Sequence, residues 1–178
     1  GMIGLHHRAD LGALTAGMKT GALDDVLFPV NPVADAPRII NRYKQLFPIE
    51  ADSLLLGPML ELSFSEPPIV YVRLGFIFEV RNALGGDRPA ELTRVILLGQ
   101  LLVQLPPKEL GVPAIVRLLV DVVGFYDAVE KFLLIRARLR DSFVGIEGFA
   151  KLDLTGELVL AMRFGDDPSF VLSAGGFH

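Results

Sequence analysis

Arg136, Arg138 and Arg140 are the residues of this chain best suited to holding a ligand. Guanidinium groups at every second position line one side of a strand, where they could grip a phosphate or another anionic headgroup. The plainer use of such a stripe is as the solvated side of a sheet. His6, His7 and Asp10 carry metal-ligating atoms, but adjacent side chains diverge and the spacing matches no metal motif. They read instead as the start of a helix, with Asp10 as its cap. The carboxylate pairs Asp24-Asp25 and Asp166-Asp167 could do acid–base work if a cleft held them. Beside Gly165 and Pro168, the second pair reads as a turn former. Gly85-Gly86 and Gly175-Gly176 lack the strand–loop–helix setting of a phosphate loop. No serine sits in a nucleophile-elbow pattern, and the three histidines lie near the chain ends. Without cysteine there is no thiolate nucleophile, thiolate metal site or disulfide. No catalytic, metal or cofactor residues emerge, and no catalysis is expected.

The elements that carry these residues are strands. In 130–140, Leu133, Ile135, Ala137 and Leu139 share one parity and the three arginines the other. In 151–164, Leu158, Leu160, Met162 and Phe164 alternate with Glu157, Val159, Ala161 and Arg163. Period-two alternation sends neighbours to opposite faces of a strand, whereas a helix would scatter the arginines around its circumference. Similar runs occupy 54–64, 69–80, 91–105, 114–124 and 170–177, the first interrupted at Gly57-Pro58. Val70, Val72, Leu74, Phe76 and Phe78 oppose Arg73 and Glu79; Val116, Leu118, Val120 and Val122 oppose Arg117 and Asp121; Arg94, Gln100 and Gln104 mark a wetter face. Gly57, Gly75, Gly99 and Gly156 are placed for bends or bulges. Upstream, Leu11, Leu14 and Met18 recur at helical spacing, with Gly21 as a stop, and 23–28 suits a further turn. Asp35 caps a second helix, with Pro37 in its first turn, an apolar stripe from Ile39 to Phe47, and Pro48 ending it.

The segment Leu55-Leu56-Gly57-Pro58-Met59-Leu60 resembles Leu97-Leu98-Gly99-Gln100-Leu101-Leu102, and each precedes a Pro-Pro pair and another strand. Two hairpins of one design suggest an up-and-down meander. The predicted fold is therefore mainly β (α+β): a long-stranded antiparallel meander of about seven strands with an N-terminal helical segment. Residues 1–50 form the helical segment and 51–178 the meander, together one domain.

Composition supports a sheet with a large apolar face. Apolar residues make up 51% of the 178, and mean hydropathy is +0.47, yet no uninterrupted run could span a bilayer as a helix. The net charge of −4 is mixed in sign along the chain, so nucleic acid is not an expected partner. The N-terminus lacks the parts of a signal peptide, which leaves localisation open.

The segments from Leu27 to Pro37, Leu139-Arg140-Asp141-Ser142, Leu154-Thr155-Gly156, and Gly165 to His178 with its final Gly-Gly-Phe-His resemble a family of large, uncharacterised bacterial β-rich proteins carrying a domain of unknown function. The resemblance covers most of the chain and implies an internal fragment of a longer protein. It brings no activity and no site residues.

The expected role is a structural or interaction β module of a larger bacterial protein. Its partners would be neighbouring β units, or a second copy through the last strand. The alternative is a carrier binding lipid or another apolar ligand in a β groove, with the arginine stripe at the headgroup. An outer-membrane barrel is disfavoured by the absence of Trp and by only three Tyr for aromatic girdles. Leu133, Ile135, Leu139, Leu158, Leu160 and Met162 are expected to be buried, with the arginines more exposed. The strand 170–177, without charge or proline, is expected to self-associate or fray at its edge.

Overall fold

The computed structural model describes residues 1–20, 26, 29, 31–85, 87–146 and 149–175. Gly21, Asp24, Asp25, Gly86, Gly176, Phe177 and His178, and the turn expected over 23–28 apart from Val26, lie outside the described residues. The chain is mainly β, an open antiparallel sheet with two helices among the described residues. The strands are β1 (Met2–His7), β2 (Ile49–Gly57), β3 (Met59–Phe64), β4 (Val70–Arg81), β5 (Glu91–Leu105), β6 (Val116–Asp127), β7 (Phe132–Leu139), β8 (Ser142–Ile146), β9 (Ala150–Leu154), β10 (Glu157–Arg163) and β11 (Ser169–Gly175). The helices are α1 (Leu11–Thr20) and α2 (Ala36–Leu46). The sheet runs β1-β2-β4-β5-β6-β7-β10-β11, with β3 beside β4 and the β8–β9 hairpin attached through β6.

Among the described residues eleven strands stand where about seven were expected, for local reasons. The run 54–64 divides at Pro58, which cannot donate to a ladder. The run 151–164 divides at Thr155-Gly156. Two further strands went unpredicted. Met2–His7 pairs with β2, so His6 and His7 end a strand rather than start a helix. Ser142–Ile146 was too short for alternation to register. Within it Gly145, opposite Lys151 on β9, adopts φ +130°, and an added Cβ would lie 2.1 Å from the Ala150 carbonyl oxygen, so only glycine fits. The one break in the β1–β2 register falls between Leu5 and His7, not at a glycine. His6 and Asp52 both adopt left-handed backbone there, and the Asp52 N–H donates to His6 Nδ1 at 3.2 Å.

The chain packs into two compact units. The first comprises Gly1–Met59, Gly75–Ile96 and Asp127–Val129; the second comprises Leu60–Leu74, Leu97–Tyr126 and Glu130–His178. In the first, Asp10 caps α1 as its sequence position predicts, its Oδ1 accepting from the Ala13 N–H at 2.9 Å. Asp35 occupies the cap position of α2 but makes no side-chain cap; its carboxylate pairs with Arg38 at 3.3 Å instead. Leu14, Phe47, Leu55 and Ile77 are fully buried, so the helices and one side of the sheet form a true core.

In the second unit, β7, β10 and β11 pair in continuous antiparallel register, Leu133↔Met162↔Phe170, Ile135↔Leu160↔Leu172 and Ala137↔Leu158↔Ala174. Partners across a ladder point to one face, so these nine residues share a side. The rows Arg138↔Glu157↔Gly175 and Arg136↔Val159↔Ser173 belong to the other side.

Candidate functional site: an open apolar sheet face

The parities expected from the sequence are correct, but the side that carries the charges is the one taken out of water. On β4, Ile77 and Glu79 are buried while Phe76 is exposed. On β6, Leu119, Asp121 and Val123 are buried, and Val116, Leu118, Val120 and Val122 are only half-buried. On β5, Thr93 and Gln104 are buried, although Gln104 was assigned to a wetter face. Alternation sorts residues onto two faces but does not say which face receives a cover.

Two charge clusters make that burial tolerable. In the first unit Glu79, 1% exposed, accepts from the Ala9 N–H at 3.2 Å, the Thr93 hydroxyl at 3.4 Å and the Arg94 guanidinium at 3.4 Å. Arg94 also reaches Asp127 at 3.4 Å. In the second unit Asp121, 5% exposed, receives Arg140 through Nε at 2.6 Å and Nη2 at 3.2 Å, and Gln100 Nε2 at 3.2 Å. A buried carboxylate is tolerated when it is paired and hydrogen-bonded in this way.

These contacts divide the arginine stripe. Arg140 is held by Asp121, Arg138 is exposed and lies across from Glu157, and Arg136 is half-buried across from Val159 with its Nε making no hydrogen bond. Asp166 and Asp167 sit in the exposed bend between β10 and β11, beside Gly165 at φ +115°. Gly85 lies in the exposed loop before β5. Among the described residues no three His, Asp or Glu side chains converge as a metal site would require.

What remains is the other side of the sheet, which sequence reasoning took for the core. In the first unit, the row Ile3–Leu56–Phe78 and the row Leu5–Leu54–Val80 cross β1, β2 and β4. None of these six side chains is buried, and Phe76 stacks on Phe78 with centroids 6.4 Å apart. In the second unit, Leu158 is exposed, and Leu133, Ile135, Leu139, Leu160 and Met162 are half-buried, not buried as expected. Phe170 and Leu172 on β11 are 69% and 58% exposed. The rows on β7, β10 and β11 contain only Ala, Leu, Ile, Met and Phe, without a hydrogen-bonding side chain among them. Such a face can bind apolar matter, and its paired backbone leaves little inside the ladder to hydrogen-bond.

The chain belongs to DUF6603, a family of unknown function, whose family model matches residues 1–178. Comparison with curated proteins and comparison with solved structures gave no match. Among the described residues no helix is long and apolar enough to cross a membrane.

Proposed function

We propose that this chain is a structural or interaction β module of a larger bacterial protein, and that its open apolar sheet face is the surface it offers to neighbouring β units. The observation behind this reading is the row pattern. In each unit, apolar side chains line up across several strands while the charges are gathered on the opposite side. Apolar surface of that extent normally marks an interaction site. No catalytic role is part of the proposal, and the chemistry of Arg136 and Arg138 is at most that of an anionic headgroup contact.

Self-association through β11 belongs to the same reading. All seven of its residues are exposed, and none is charged or proline. The opposite end of the sheet order is β1, whose register is broken at His6. Bulges blunt an edge, whereas a straight apolar edge invites another strand. Light scattering across a concentration series tests this. Growth in mass that a Val171→Lys substitution abolishes is the expected outcome; a strictly monomeric chain would count against it.

A second reading, a carrier holding lipid or another apolar ligand in a β groove, is favoured by one feature. The three apolar-side rows of β7, β10 and β11 lack any hydrogen-bonding side chain, as suits hydrocarbon. Mass spectrometry of the purified chain separates the two. Co-purifying lipid that a Leu160→Asp substitution removes would favour the carrier, and a lipid-free chain would favour the module.

A further inference from the structure

We propose that a hollow on the helix side of the first unit binds a long-chain monocarboxylate, with the carboxylate on Lys44 and the apolar tail over Ile40 and Ile49. The inference does not rest on the open sheet face, because it concerns the opposite side of β1 and β2.

The hollow, open to solvent on one side, has a volume of about 720 Å³ between α2, the end of β1 and the start of β2. That is within the range of small-molecule sites, roughly 300–1,000 Å³. Phe47, fully buried, and the half-buried Tyr43 form a hydrophobic base, their ring centroids 4.8 Å apart. Ile39, Ile40 and Ile49 also line the hollow, and Ile40 and Ile49 are 53% and 81% exposed. Two branched aliphatic side chains left that open beside an aromatic base are what an apolar tail would cover.

Three lining residues carry polar atoms: Tyr43, whose hydroxyl is buried without a hydrogen-bond partner, His7 and Lys44. His7 Nδ1 donates to the Phe47 carbonyl oxygen at 2.7 Å, since that oxygen can only accept. The ring also rests edge-on against Tyr43 with centroids 5.3 Å apart, so its orientation is set twice. Lys44 is the one permanently charged lining residue, is exposed, and has no carboxylate partner among the described residues. One unpaired cation at a mainly apolar hollow calls for a ligand with one negative charge and a hydrocarbon body. A phosphodiester lipid with two tails would present more chain than this volume takes. A polar metabolite would leave the isoleucines uncovered.

The test is isothermal titration of the full chain with dodecanoate and with dodecanol, each below its aggregation threshold. Dodecanoate is expected to bind once per chain and dodecanol about tenfold more weakly, the difference being the ion pair with Lys44. Lys44→Met should reduce dodecanoate to the level of dodecanol, and Ile40→Asp should remove both. Both positions are exposed, so the variants should keep the wild-type circular dichroism and melting temperature, which are measured alongside. Equal affinity for acid and alcohol, an unaffected Lys44→Met variant, or no binding to the wild type would overturn the proposal. Ile3→Asp, on the open sheet face, is expected to leave dodecanoate binding unchanged. Binding lost with Ile3→Asp but kept with Ile40→Asp would place the tail on the open face, overturning the hollow as the site while supporting the carrier reading.

Discussion

The helix-covered side of the first unit and the outer strands of the second obey the same alternation and reach opposite ends. In the first, Leu55, Ile77 and Glu79, like Leu14 and Phe47, are shut off from water. In the second, β9, β10 and β11 do not bury a single residue, although Leu158, Leu160 and Met162 are as apolar as anything in the first unit. A strand with one hydrophobic face becomes core only where the chain supplies a second layer. The two regions therefore differ in cover: Leu55 and Ile77 are closed off from water, whereas Leu158, Phe170 and Leu172 on the outer strands are exposed to it.

The largest expected effect tests the closed side. Glu79→Ala removes a buried carboxylate that Ala9, Thr93 and Arg94 all use, and leaves Arg94 with Asp127 as its remaining partner. Breaking a buried pair from one side costs about 3–5 kcal/mol. Asp121→Ala should fall near the lower end of that range, about 3 kcal/mol, because Arg140 keeps some access to water. Urea melts measure both. Losses under about 1 kcal/mol would mean that the charged side is wetter in solution than its packing implies.

Next comes a matched pair of truncations. Ile77→Ala should cost about 2–5 kcal/mol, as a fully buried aliphatic does. Leu160→Ala, half-buried on β10, should cost only about 1 kcal/mol. Equal losses would break the comparison and show that β10 has acquired a cover in solution. A Leu160→Ala cost that rises when lipid or a partner is added would sharpen it.

Much of this was legible in the residues, and the misses share a cause. The parities of β4, β6, β7 and β10 follow from period-two alternation, and the α1 cap from Asp10. The buried side was misassigned because Glu79 and Asp121 look like surface residues until Arg94 and Arg140, distant in sequence, meet them. The hollow beside Lys44 was invisible for a similar reason. His7 and Phe47 are 40 positions apart, and nothing local announces their hydrogen bond.

Amide exchange should grade the same contrast more finely. Protection in β11 should be lost before protection in β4, because one edge of β11 has no strand beside it in the sheet order and its side chains bury nothing. Equal protection in the isolated chain would mean that a second copy is already paired with β11.

The smallest effect belongs to a polar tie within the second unit. The Tyr71 hydroxyl on β4 donates to Glu109 in the 3-10 turn Lys108–Leu110, and Lys108 Nζ lies 4.7 Å from the centre of the Tyr71 ring. Desolvation, then the hydrogen bond to Glu109, then the Glu109 charge push the Tyr71 phenol up to about 12. Glu109 moves the other way, lowered chiefly by the hydrogen bond it accepts from Tyr71. A phenol whose pKa is raised on folding contributes stability that is complete below its ordinary value of 10.0 and is lost as pH rises through about 12. A carboxylate whose pKa is lowered contributes above its ordinary range and loses that contribution as pH falls through its folded value. The tie should therefore be at full strength near neutrality and fade at both extremes, with little effect on overall stability because solvent screens it. Spectrophotometric titration of tyrosinate reads it directly. Glu109→Gln should lower the Tyr71 transition in part, since the charge and the carboxylate acceptor are removed while the desolvation remains, and Tyr71→Phe should delete that transition. A tyrosinate curve unmoved by Glu109→Gln would mean that the turn does not hold Tyr71 in solution, leaving the second unit even more dependent on its strand ladder.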